Sequence, residues 1–192
     1  LPARTRSGQR LIVAITTDLA GVSLPAYPPL LALGATASTS LKLDGVRVPA
    51  SWVLTSRFND FVTGVRPSFL LLQTSFCLGL ADTALSGVEG RCEGVAEVFA
   101  LDHERLSAQG ARLDRQHHAS LAAAQHEPVD LLRLRLAAAR FAVEATQLES
   151  KVRGGGGYLA SSPVARRVRE ATFLPIQSPT EAQLRWELSH SV

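Results

Sequence analysis

The chain has 192 residues, of which 46% are hydrophobic and 19% are charged. This composition excludes a wholly disordered chain, because disorder goes with few apolar residues and a high net charge. The net charge is only +3, whereas a dedicated nucleic-acid binder usually carries a denser basic face, so no nucleic-acid partner is expected. Two cysteines do not make a disulfide framework, and a cytoplasmic location is the default expectation.

Two further expectations concern the membrane and the start of the chain. No run of 18 apolar residues is free of charge, so we expect no membrane-spanning helix. The chain begins with Leu1 and contains no Met. Since a translation product begins with Met, we expect that a further part of the protein precedes Leu1.

Residues 1–58 have the pattern of a β domain. The β-branched run at 11–17 predicts a buried strand, and polar and apolar residues alternate at 39–43 and again at 46–48. Asp44-Gly45 between the last two segments predicts a hairpin. Three short strands do not close a sheet well, so the expected β domain is incomplete and we expect partner strands to precede Leu1.

Residues 59–192 change to a helical period. Long helices are predicted from Pro67, at a first helical position, to about residue 87, then over 89–124 and 128–152, with Gly110 as a candidate break in the second. Shorter helices follow two hydroxyl residues that are suited to cap them, Ser162 and Thr180. Long antiparallel helices with short connections predict an antiparallel four-helix bundle, so the fold class is mainly α with a preceding partial β domain.

Four consecutive glycines, Gly154 to Gly157, follow the third long helix. In a helix each costs about 0.8–1 kcal/mol relative to alanine, or roughly 3–4 kcal/mol for the four. One explanation is a plain hinge between helices. The other is the close approach of a ligand to bare backbone N–H groups, as phosphates require.

The segment after the glycines carries the most specific pattern in the chain. It resembles the C-terminal signature of the acyl-CoA dehydrogenases, without a gap from Pro163 to Arg185. The matching residues are Gly154-Gly155-Gly156-Gly157-Tyr158, Pro163-Val164, Arg169-Glu170-Ala171, Ile176, Thr180 and Arg185. Two earlier segments are similar to this family as well, in the right order: Leu43-Asp44-Gly45-Val46-Arg47-Val48-Pro49-Ala50, and Val65-Arg66-Pro67 followed by Leu78-Gly79-Leu80-Ala81.

The resemblance implies an FAD-dependent oxidoreductase that acts on the CH–CH group of an acyl-CoA-like thioester. It implies the second half of the family's middle β domain and the whole C-terminal bundle, with no counterpart to the N-terminal helical domain. By match, Gly154, Gly155 and Tyr158 lie near the adenosine diphosphate part of FAD, Thr180 lies by the flavin end, and Arg66 lies near the active site.

The resemblance also implies assembly as a homodimer or homotetramer, and an electron-transfer partner. The apolar faces of the helices predicted at 67–86 and 128–152 are too broad for burial on one side. We therefore expect the bundle to provide the subunit interface.

The sequence departs from the family at the catalytic base, which removes the α-proton of the thioester. The usual glutamate falls on Ser178, and the alternative position on the earlier helix holds Val65. A positioned base contributes roughly 10²–10⁴ in rate, so the catalytic residue stays unidentified. Glu181 lies nearby, but the matched register turns it elsewhere. The family's Arg-x-Gln-Phe-Gly segment, which contacts FAD across the dimer, is also missing from the matching region, 101–107.

Two other functions remain open on the same fold. A flavin-dependent monooxygenase or oxidase needs no glutamate at position 178, and a non-catalytic partner subunit needs no base at all. His117, His118 and His126 are the candidate metal ligands. No third ligand lies at helical spacing from them, so a metal site is not expected.

Overall fold

The computed structural model describes residues 1–191. The chain divides into two compact units, Leu1–Arg66 and a second unit that begins at Pro67. The first unit contains small β-sheets, and the second is helical. The predicted fold class, a mainly helical chain with a preceding partial β domain, is confirmed.

The first unit contains two antiparallel sheets. In one, the strand order is β1-β2-β5, and in the other β3 pairs with β4. Their bounds are Pro2–Arg4 (β1), Arg10–Val13 (β2), Val22–Ser23 (β3), Lys42–Leu43 (β4) and Val53–Thr55 (β5). The strand predicted at 11–17 therefore exists, although it ends at Val13.

The hairpin predicted around Asp44-Gly45 is wrong. Lys42–Leu43 pairs with Val22–Ser23, and residues 46–48 form no strand. The reason lies at Gly21, whose φ of +88° is a conformation that favours glycine. Its carbonyl accepts a hydrogen bond of 2.9 Å from the Asp44 N–H. A side chain at Gly21 would collide with the Asp44 carbonyl. This distant contact, and not a local turn, sets the register.

The first helix, α1, spans Phe58–Ser86 and so begins well before the expected start at Pro67. Pro67 lies inside this helix. Proline removes one intrahelical hydrogen bond but does not end this helix, so the placement of Pro67 at a first helical turn was wrong. Asp60 in the first turn suits the positive end of the helix dipole.

By length and composition alone, α1 meets the criteria for a membrane-spanning helix, with a mean hydropathy of 1.3 over its most apolar window. Half of that window is buried inside the protein. The core helix of a protein that does not enter a membrane meets the same criteria, so this is weak evidence for a span.

Four more α-helices complete the second unit: α2 (Ala100–Ala122), α3 (Pro128–Tyr158), α4 (Pro163–Phe173) and α5 (Glu181–Ser189). A 3₁₀ helix precedes α2, so the helix predicted from 89 begins later than expected. It does not break at Gly110, where a Cβ would lie 2.8 Å from Cζ of Phe141. Glycine here admits the aromatic ring.

The two predicted capping residues are confirmed. The Ser162 hydroxyl accepts a hydrogen bond of 3.0 Å from the Ala165 N–H at the start of α4. The Thr180 hydroxyl accepts one of 3.2 Å from the Gln183 N–H at the start of α5. Each hydroxyl satisfies a backbone donor that the first turn of a helix leaves unpaired.

Helix α3 is the centre of the bundle. Between residues 131 and 150 only Arg133, Arg140, Glu144 and Gln147 are exposed. The other positions pack against α1, α2, α4 and α5, so this chain itself covers the broad apolar face of α3. The breadth of this face is therefore no reason in itself to expect a subunit contact there. Helix α1 does leave large apolar side chains exposed, namely Phe69, Leu72 and Phe76.

A buried ion pair joins α3 to α4. Glu149 is 1% exposed, and Arg167 donates to both of its carboxylate oxygens, with 2.8 Å between Nε and Oε2. The hydrogen bond to Glu149 is the main reason that the pKa of Arg167 is raised. Gly87, just after α1, lies directly against this carboxylate.

We predict that Gly87→Ala lowers the free energy of unfolding by about 1–3 kcal/mol, because the new methyl group displaces the Glu149 carboxylate from its fixed position. Chemical denaturation measures this. Gly79→Ala in α1 is the matched control, since its Cβ meets nothing within 4 Å, and it should stabilise the helix by up to about 1 kcal/mol. Equal effects of the two substitutions would contradict the packing at Gly87.

Candidate functional site

The four glycines differ in what the fold requires of them. Gly154 has φ +56° and ψ −145°, a conformation that interrupts α3. At Gly157 a Cβ would lie 2.9 Å from Cβ of Arg153 and 3.2 Å from Cγ1 of Val164. For Gly155 and Gly156, a Cβ placed there would meet no described atom within 4 Å apart from the adjacent backbone of the same helix. The fold thus explains the first and last glycines and leaves the middle two unexplained.

The middle glycines leave backbone that is open to close approach. Gly155 and Gly156 are exposed, and Tyr158 beyond them is 87% exposed. Exposed backbone without side chains beside an exposed aromatic ring fits the close approach of a ligand with a planar group, such as FAD. The hinge interpretation also has support, because Gly154 does kink the helix. The two explanations apply to different glycines.

The second predicted site is the segment 174–180, which we call the Ser178 loop. Ser178 is exposed, and a cis peptide bond joins it to the buried Pro179. The Thr180 hydroxyl is half-buried and caps α5. The Ser178 loop thus presents hydroxyl groups and no carboxylate at the position where the resemblance places the base.

Glu181, the first carboxylate after the loop, is held by arginines. Its Oε1 accepts from Nη2 of Arg140 at 2.6 Å, and Nη1 of Arg185 lies 3.8 Å away. The Glu181 carboxylate is thus already engaged by the guanidinium groups of these two arginines.

Beneath the Ser178 loop lies a buried cation that the sequence analysis missed. Arg135 of α3 is 0% exposed. It donates from Nη2 to the Leu174 carbonyl at 2.8 Å, from Nε to Oε1 of Gln73 at 3.1 Å, and from Nη1 to Sγ of Cys77 at 3.5 Å. Gln73 in turn donates from Nε2 to the Ser178 carbonyl at 2.7 Å. An arginine on the apolar face of α3 was the available signal.

The Cys77 thiol lies in this cluster and is fully buried. Burial raises its pKa to about 11, while the charge of Arg135 acts in the opposite direction. Cys77 is thus part of the core of the bundle. A thiol with this pKa is not a nucleophile near neutral pH.

Arg66 and Val65, the other family-matched positions, lie on α1 within the first unit. Arg66 is half-buried and Val65 is exposed. Val65 offers no proton acceptor, so neither the alternative base position nor position 178 carries a carboxylate.

The sequence did not predict a cavity of about 620 Å³ between α1 and α2. Its lining includes His117, His118 and Asp82. His117 is buried, with Nε2 3.1 Å from both the Leu71 carbonyl and the Ser75 hydroxyl, and His118 contacts Asp114. Among residues 1–191, no three His, Cys, Asp or Glu side chains are placed to hold a metal ion.

Comparison with known proteins gives the fold. No family profile matches the sequence, and no curated protein matches it either. Solved structures do match. Glutaryl-coenzyme A dehydrogenase in complex with glutaryl-CoA aligns over 95% of this chain with a TM-score of 0.83 and 17% identity. Butyryl-CoA dehydrogenase from Megasphaera elsdenii aligns over 99% with 0.82 and 16%. Nitroalkane oxidase from Podospora anserina aligns over 94% with 0.78 and 16%.

This likeness confirms that the chain has an acyl-CoA dehydrogenase-like fold over almost its whole length. The chain covers 51%, 54% and 49% of those three proteins, so it spans about half of their length. The shared fold includes dehydrogenases and an oxidase, and the fold alone therefore does not select the reaction.

We predict that Cys77 resists alkylation in the folded protein. At pH 8 only about one part in a thousand of a thiol with a pKa near 11 is ionised, and burial blocks the reagent. Iodoacetamide should modify Cys92, which is partly exposed, and should modify both cysteines after denaturation. Mass spectrometry of the native Cys92→Ser variant provides the control, and labelling of Cys77 in that folded variant would contradict the buried cluster.

We also predict that the glycines separate in stability measurements. Gly154→Ala should cost roughly 1–3 kcal/mol, since alanine is strained at this positive φ. Gly155→Ala should cost nothing, because open space surrounds its Cβ. Urea unfolding of both variants checks this, and a costly Gly155→Ala would show that the middle glycines serve the fold after all.

Proposed function

We propose that this chain forms about half of an FAD-dependent oxidoreductase of the acyl-CoA dehydrogenase type. The observation that carries the proposal is the coincidence of a dehydrogenase-like fold with the ordered family motifs. The open backbone at Gly155 and Gly156 adds an independent, physical reason for a bound ligand.

In the proposed site, Gly154, Gly155 and Tyr158 border the adenosine diphosphate part of FAD, and Thr180 borders the flavin end. FAD, when bound, supplies the acceptor for a hydride from the β-carbon of an acyl thioester. Gly154 sets the kink and Gly155 leaves room for close approach. The Thr180 hydroxyl already caps α5, so its oxygen is fixed in place.

The reaction on a straight-chain acyl-CoA should be slow. A thioester α-proton is weakly acidic and needs a positioned base, worth about 3–5 kcal/mol of the barrier. A serine hydroxyl without an activating partner does not accept a proton near pH 7. The carboxylate of Glu181 is engaged by Arg140.

The missing carboxylate favours a second candidate, a flavin-dependent oxidase or monooxygenase on the same fold. The structural likeness to a nitroalkane oxidase agrees with this alternative. The third, a non-catalytic partner subunit, predicts no flavin. Flavin content separates it from the others, and reduction by acyl-CoA under nitrogen separates dehydrogenase from oxidase.

Assembly as a homodimer or homotetramer belongs to the same proposal, together with an electron-transfer partner. Support comes from large apolar side chains that are exposed to solvent. They are Phe69, Leu72 and Phe76 on α1, Val95 and Val98 in the 3₁₀ helix before α2, and Leu101 at the start of α2. Exposed apolar residues in such number mark contact surfaces.

The first test concerns the cofactor. We predict that the intact protein purifies with FAD, and that Gly155→Val lowers FAD affinity at least tenfold because the side chain blocks close approach to the backbone. Flavin absorbance after dialysis measures binding. Gly79→Val is the control, since its surroundings are equally open. An intact protein that neither carries nor takes up FAD would refute the proposed function.

The second test concerns the base. Ser178→Glu combined with Pro179→Gly restores the family pattern and should speed flavin bleaching by acyl-CoA without oxygen by about 10²-fold or more. Ser178→Gln with Pro179→Gly is the matched uncharged control and should not. Bleaching by the natural protein at ordinary dehydrogenase speed would mean that another carboxylate acts as the base.

A further inference from the structure

The Ser178 loop is held from below by charge and hydrogen bonds that nothing in the family motifs requires. Arg135 is fully buried, and Gln73 is 1% exposed. The acceptors around Arg135 are an amide oxygen, a backbone carbonyl and a thiol sulfur. The buried acid of α3, Glu149, pairs with Arg167 instead.

This arrangement is costly unless it fixes something. A guanidinium stays charged at any pH a protein experiences, and burying it is unfavourable unless its donors are satisfied. Neutral acceptors satisfy them only if they stay in place. The Leu174 carbonyl and, through Gln73, the Ser178 carbonyl therefore must keep their positions relative to α3 and α1.

Two hydrogen bonds hold the loop, one from Arg135 to the Leu174 carbonyl and one from Gln73 to the Ser178 carbonyl. Leu174 precedes the turn and Ser178 lies at its far side, and the turn between them has its own backbone hydrogen bonds, from the Gln177 N–H to the Phe173 carbonyl at 2.8 Å and from the Glu181 N–H to the Pro175 carbonyl at 2.7 Å. These hydrogen bonds fix the backbone of the loop at Ser178, and with it the position from which the Ser178 side chain projects.

We propose that Arg135 and Gln73 are positioning residues, which set where the Ser178 loop presents Ser178 and Thr180 to the flavin and substrate. They act through the loop backbone. The inference rests on the proposed flavin function for its consequence, whereas its structural part concerns this chain alone.

Gln73→Glu tests the hydrogen bond from Gln73 to the Ser178 carbonyl with the smallest change in side-chain shape. The carboxylate keeps the shape of the amide and still accepts from Arg135, but it does not donate to the Ser178 carbonyl. Gln147→Glu on α3 is the matched control, the same chemical change at an exposed position. Arg135→Met, which removes the buried charge and the Leu174 tie together, serves if Gln73→Glu does not fold.

Two measurements on the intact protein are needed. Hydrogen exchange reports the loop without any need for flavin, and we expect the Gln177 and Glu181 amides to exchange about tenfold faster in Gln73→Glu. Visible circular dichroism of bound flavin reports the position of the loop, and we expect its band intensity to change in Gln73→Glu and not in Gln147→Glu.

The outcomes separate the claims. Unchanged exchange would overturn the tie itself. Faster exchange with an unchanged flavin spectrum would make the pair purely structural and overturn the positioning role. A natural protein without flavin would refute the proposed function and, with it, the positioning role, even if exchange responds as expected.

Discussion

The charges buried in α3 constrain the rest of the bundle. Arg135 and Glu149 are almost completely buried, and an unpaired buried charge costs several kcal/mol. Glu149 finds its partner in Arg167, which fixes α4. Arg135 finds acceptors in Gln73 of α1 and in the Leu174 carbonyl. The elements around the central helix are thus placed by electrostatics as well as by apolar packing, and the Ser178 loop is placed with them.

The helical part of the fold was predictable because its signals are local. Apolar periodicity and capping hydroxyls at Ser162 and Thr180 act within a few residues. The β part was less predictable, since β3 and β4 pair across about twenty residues of irregular chain through the contact of Gly21 with Asp44. The prediction at Pro67 failed for the opposite reason. The local preference of proline for the first turn of a helix was overridden by the helix that surrounds it.

The candidate site was found in sequence but understood only in structure. A motif located the glycines and Ser178, yet it did not show that Gly154 and Gly157 serve the fold while Gly155 and Gly156 are open. The partners of Arg135 lie 39, 58 and 62 positions away, and no sequence pattern indicates them. Buried polar contacts between residues far apart in the chain could not be predicted from the sequence.

The proposed function places Ser178, and no carboxylate, where the family resemblance puts the base that removes the α-proton of the substrate. The most direct measurement is deuterium incorporation at the α-carbon of an acyl-CoA incubated with the flavin-loaded intact protein in heavy water, followed by NMR. We predict deuterium incorporation no faster than without protein. Rapid exchange at the α-carbon would contradict it, because it would demonstrate a working base in the site.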